Sequence, residues 1–95
     1  MKRFFKKLID EVLNSQKIVF SLQEILQDKS TRVIGFIALD FAPVQGTVFC
    51  IENTNAKGEK YFKNYVVDYS TIVMFENGKK EGFLYLKFFG IQHTV

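Results

Sequence analysis

The stretches RVIGFIAL (residues 32–39) and FLYLKFF (residues 83–89) carry apolar side chains at odd and even positions almost throughout. Successive side chains of a strand point to opposite faces, so a strand built from either stretch is oily on both sides. A sheet of such strands needs cover on each face, from helices, a second sheet or another copy. Cover is scarce in a chain of 95 residues. That length makes one domain, taken as 1–95, and a domain this small buries only ~60–65% of the surface its unfolded chain exposes.

Composition bounds the rest. Hydrophobic residues make up 47% and aromatic residues 16%, with eleven Phe and four Tyr. That is enough for a core and too much for intrinsic disorder, and it predicts apolar surface left over for a pocket or a partner. The net charge of +3 is small. Lys2, Arg3, Lys6 and Lys7 carry most of the excess rather than a broad patch, which argues against a nucleic-acid partner. Cys50 is the only cysteine, so no internal disulfide, CxxC or zinc cluster exists. It reads as a small buried hydrophobe on a strand, in a reducing, cytoplasmic compartment. Lys6, Lys7, Asp10 and Glu11 interrupt any signal-peptide core, and no run approaches the ~20 apolar residues of a membrane span. A soluble protein is expected.

Residues 2–14 read as a helix, with Phe4, Phe5, Leu8, Ile9, Val12 and Leu13 at helical spacing. Nothing before Lys2 serves as an N-cap, and the first turn is positive where the helix dipole prefers negative charge. So blunt a start predicts a continuation upstream. A basic amphipathic helix also suits a membrane surface, but packing on the core is the favoured reading. In KIVFSLQEIL, Ser21 and Glu24 match a capping box. The alternation of Ile18, Phe20 and Leu22 predicts a strand instead. A turn at Asp28–Thr31 leads into RVIGFIALDF, with Gly35 as a bulge or bend.

Ala42–Gly46 forms the next turn, residues 47–52 a strand, and Asn53–Gly58 another turn. YFKNYVVDYSTIVMF (residues 61–75) reads as one long, bulged strand, with a short helix over 59–67 as the alternative. Glu76-Asn77-Gly78-Lys79 is a hairpin turn and FLYLKFFGI the last strand. The expected fold class is therefore α+β: an N-terminal helix packed on a curved antiparallel β-meander of about five strands. One helix covers part of one face. The shortfall predicts a pocket within a curved sheet, a homodimer, or both.

Residues 2–95 resemble the C-terminal two-thirds of the nuclear transport factor 2-like superfamily, which includes SnoaL-like polyketide cyclases and ketosteroid isomerases. The resemblance is carried by RFFKKLID before VFSLQEIL, by DKST leading into RVIGFIAL, and most closely by VMFENGKKEGFLYLKF. It implies a truncated cone around a cavity for a small hydrophobic ligand. The family's first helices and helical lid have no counterpart, and the segment between Gly58 and Phe75 is longer than usual. In the isomerases an oxyanion-binding Asp stands four residues before the Phe of the final hairpin; here that position is Thr71. A rival resemblance is to the second half of a thioredoxin fold, although CxxC is absent, Ser70 stands where a cis-proline is expected, and only a short turn replaces the long second helix.

Asp68 and Asp40 are the candidate general bases, since a strand carboxyl facing an apolar cavity binds its proton more tightly. An ordinary solvent-facing aspartate is the simpler reading of each. Tyr61, Tyr65 and Tyr69 share one parity and are the candidate ligand-binding residues, offering apolar area with hydroxyl handles. Plain core or dimer-interface packing is the simpler reading of the three. His93 has no second histidine or clustered acid for a metal, and the glycines form no phosphate loop. The function expected is that of a small non-catalytic or small-hydrophobic-ligand-binding domain, without a cofactor. The alternatives are a SnoaL-like cyclase or isomerase and a degenerate thioredoxin-like adaptor.

Overall fold

A computed structural model of the chain describes residues 17–94. Five strands make up these residues: β1 (Ile18–Ile25), β2 (Thr31–Leu39), β3 (Val48–Thr54), β4 (Lys60–Met74) and β5 (Lys80–Gln92). Each falls where the β-branched and aromatic runs predict it, the long strand over 61–75 included. The α+β expectation is corrected: the described residues form an all-β, curled half-barrel sheet and include no helix. The helix expected over residues 2–14 lies outside the described residues.

The antiparallel meander is corrected as well. The strand order is β2-β1-β5-β4-β3, with β1 and β5 parallel and every other pair antiparallel. Four reversals separate β1 from β5, so the two run the same way and pair parallel once the sheet curls. The inner face of β1 is buried along its length, whereas Val19 on its outer face is 56% exposed. Ile18, Phe20 and Leu22 point into the curl and are buried, while Ser21 on the other face is also buried. β2 and β3 become the two edges, and residues 40–47 cross the open side between them.

Three bulges sharpen the curl, each adding one residue to one strand of a pair. Ile34 is extra in β2 opposite Leu22/Gln23, next to the Gly35 singled out from sequence. Asp68 is extra in β4 and Phe89 in β5. The hairpin turns after β1, β3 and β4 share one construction. A three-residue loop ends in a left-handed residue, and an Asp or Asn side chain accepts the next free N–H, as from Ser30 to Asp28 Oδ1 and from Lys79 to Asn77 Oδ1. Gly58 and Gly78 take that conformation without strain; Lys29, with φ of 69°, does not.

Phe20, Val67, Leu84 and Leu86 are enclosed completely at the centre of the concave face, with Ile18, Leu22 and Tyr65 around them. Ile37 and Leu39 from one edge, and Phe49 and Ile51 from the other, reach this core but are only half-buried. A closed barrel would seal them. The half-barrel leaves them facing its opening.

Candidate functional site

The crossing segment 40–47 is held at its far end by β4. Gly46 N–H donates to Val67 O at 2.9 Å and Val67 N–H to Thr47 O at 2.8 Å. Pro43 has no N–H to give, and Gly46 sits at φ 93°, so the segment turns rather than continuing the strand. Between it and the facing strand ends lies a cleft of about 470 Å³. Its walls are Leu39, Phe41, Pro43, Val44 and Phe49, and its polar groups are Lys17, Asp40 and Thr47. Phe41 and Val44 are 74% and 75% exposed, although nothing in the turn chemistry of the crossing segment requires apolar residues there. A concave apolar wall with a few polar groups at the mouth suits a small hydrophobic molecule.

Of the residues singled out from sequence, Asp40 alone lines this cleft, as an exposed side chain. Asp68 occupies the β4 bulge and faces Lys87 at 3.7 Å, outside the cleft. The three tyrosines are separated by that same bulge. Tyr65 lies inside, 3% exposed, with its ring edge-on to Phe88 at 5.7 Å. Tyr69 is turned to the outer face, stacked on Tyr85 at 4.3 Å. Tyr61 is half-buried near the start of β4, opposite Asn53. An uninterrupted strand would have kept them in one row; the extra Asp68 reverses the facing of everything after it.

Burial pushes the Tyr65 hydroxyl above its ordinary value, the nearby Glu24 carboxylate adds to the rise, and Arg32 opposes it. Glu24 was noted in the sequence only as half of a capping box, and Arg32 was not singled out. Glu24 is buried at the end of β1, where its Oε1 accepts from Arg32 Nε at 2.8 Å and Nη2 at 2.7 Å. The signal was present, since Glu24 continues the inward row of Ile18, Phe20 and Leu22. Cys50 departs from its expected burial: it is exposed on the outer face of β3. His93 is exposed at the end of the described chain, and no group of three His, Cys, Asp or Glu is placed to hold a metal among the described residues. No helix among them is long and apolar enough to cross a membrane.

Compared with protein-family models, curated proteins and solved structures, the chain matches none. The likeness to nuclear transport factor 2-like proteins therefore stands on its sequence motifs alone.

Proposed function

We propose that this domain binds a small hydrophobic ligand non-catalytically in the cleft between the edges of the half-barrel, and that it does so as a homodimer. The observation that supports the ligand is the cleft wall: Leu39 and Phe49 open onto the core at its floor, while Phe41, Pro43 and Val44 project over it. Removing ~200 Å² of apolar ligand surface from water returns ~5 kcal/mol at ~25 cal/mol per Å². Association itself costs at least ~4 kcal/mol, so contact area alone leaves only ~1 kcal/mol, and the polar contacts at the mouth must supply any useful affinity. Lys17, Asp40 and Thr47 at the mouth orient a polar end.

The reading as a cyclase or isomerase has less support. Asp68 is engaged with Lys87 outside the cleft, and Asp40 has no carboxyl, histidine or cysteine beside it in the lining. Titration with the fluorescent probe N-phenyl-1-naphthylamine tests the site. Phe41→Asp and Val44→Asp, both exposed and outside the core, should each weaken binding at least ~10-fold, a loss of ~1.4 kcal/mol. Equal binding by both variants and the unaltered chain would remove the cleft as the site.

A further inference from the structure

We propose that two copies of this chain associate through the free edge of β3, which pairs antiparallel with β3 of the second copy about a two-fold axis at Ile51. This rests on the homodimer reading above and adds the surface to it.

The ladder to β4 decides which backbone groups this edge presents. Val67 N–H donates to Thr47 O at 2.8 Å and Asn55 N–H donates to Glu59 O at 2.9 Å. Both bonds lie on the unbroken register that joins Val48 to Val66 and Thr54 to Lys60. Hydrogen-bonded pairs alternate along an antiparallel ladder, so the odd-numbered residues of β3 bond to β4. The N–H and C=O groups of Val48, Cys50, Glu52 and Thr54 therefore point away from the sheet. Among the described residues no strand lies beside them. Such a row fits one kind of partner, another extended backbone.

An edge meant to stay unpaired is blunted by a bulge, a proline, a lysine or an inward-pointing charge. β2, the other edge, has its bulge at Ile34 beside Gly35. β3 has none of the four: VFCIENT runs seven residues without a register shift.

The pattern along the edge favours a second copy as the occupant. Pairing β3 with β2 of another copy would set a regular strand on a bulged one and leave further edges open, a head-to-tail contact that propagates. Pairing β3 with itself closes at two. With the axis at Ile51, Val48 faces Thr54 of the second copy and Cys50 faces its Glu52, so every residue of the strand is matched. Glu52 meets its like only on the diagonal, ~7–8 Å away, and each stays beside its own Lys60 at 3.4 Å. Lys63 stands behind Ile51 in the same cross-strand row. Its counterpart lies three strand spacings off, about 14 Å, beyond the ~10 Å Debye length at 0.1 M salt. On the inner face Ile51 meets Ile51 and Phe49 meets Asn53, which covers two side chains that each half-barrel leaves only half-buried.

Gel filtration with light scattering on the full chain and on Cys50→Pro reads the association, and disulfide trapping reads its register. The Cys50 N–H makes no bond to β4, so a proline there costs the sheet no ladder bond, and circular dichroism with a thermal melt confirms that the variant is folded. The unaltered chain should be dimeric at ~100 μM, and Cys50→Pro should raise the dissociation constant at least ~10-fold. In a Cys50→Ser background, which removes the only native thiol, Ile51→Cys should cross-link to its own copy with oxidised glutathione as the oxidant. Its Cα faces its counterpart at ~4.5 Å in a non-hydrogen-bonded pair, within disulfide reach. Thr54→Cys in the same background should not, because its counterpart lies about 20 Å along the strand. A monomer at ~100 μM overturns the homodimer and this edge together, and slow hydrogen exchange at the Cys50 and Glu52 amides of that monomer would assign the edge to another part of the chain. A dimer that survives Cys50→Pro unchanged, or that Ile51→Cys fails to trap, keeps the homodimer and overturns this edge.

Discussion

The ring of Phe20 fills the space above Gly82, where a Cβ would lie 2.2 Å from the ring's Cδ1. These two residues are partners in the parallel pairing of β1 with β5, so this tight fit falls at the junction that makes the sheet mixed. Gly82 is an absence of side chain that lets the largest enclosed residue lie flat.

Gly82→Ala should therefore destabilise the fold by ~2–3 kcal/mol, the cost of overpacking a filled core. The clash is with a fully buried ring, which has nowhere to retreat. Urea denaturation measures the loss. Shortening the opposing residue as well, with Phe20→Leu, should return part of it as a favourable coupling in a double-mutant cycle. Strict additivity of the two changes would show that the contact is not what makes Gly82 necessary.

The Arg32–Glu24 pair predicts an asymmetry. Arg32→Met leaves the buried Glu24 carboxylate without the two N–H groups it accepts, whereas Glu24→Gln leaves a half-exposed guanidinium that water can solvate. Loss of a partner for a buried charge costs ~3–5 kcal/mol in a closed site. The exposure of Arg32 reduces that to ~1–3 kcal/mol here, since solvent already screens the pair. Glu24→Gln should cost less than half as much. Equal losses from the two substitutions in urea denaturation would contradict the buried setting of Glu24.

Tyr65 predicts how the fold responds to alkali. Its hydroxyl is raised above the ordinary value of 10.0 in the folded chain by burial, so folding favours the neutral form. An acid whose folded pKa is raised contributes stability that is whole below its unfolded pKa. That stability is lost as pH rises through the folded value. The urea midpoint should thus fall above about pH 10, more steeply than in Tyr65→Phe, which has no proton to lose. Parallel curves for the two proteins between pH 8 and 11 would show that Tyr65 is not the group responsible.

Much of this was legible one strand at a time. The runs of β-branched and aromatic residues, punctuated by Asp28-Lys29, Asn55 to Gly58 and Asn77-Gly78, place the strands and hairpins of the described residues close to where they lie. The burial of Glu24, the fourth member of the alternating inward row of β1, went unread, because its spacing from Ser21 also matches a capping box. The tyrosine row was not legible either. Whether Tyr69 shares a face with Tyr65 depends on the single extra residue Asp68, and an aspartate inside a strand looks the same in sequence whether it is paired or bulged. Cys50 shows the same limit: its small apolar side chain fits either face of β3, and register puts it outside.

By itself, the sequence determined local geometry and an imbalance, β-strands with more oily surface than the chain's own segments cover. Short-range preferences suffice for that, because dihedral propensity and side-chain alternation act over a few residues. Tertiary structure alone decided that β1 joins β5 in parallel, that β2 and β3 are left as edges around an apolar cleft, and that Phe36 and Tyr69 lie on the outer face. Those outcomes come from packing between segments some sixty residues apart, as with Phe20 and Gly82, where the gain depends on shapes that meet only after the chain has curled.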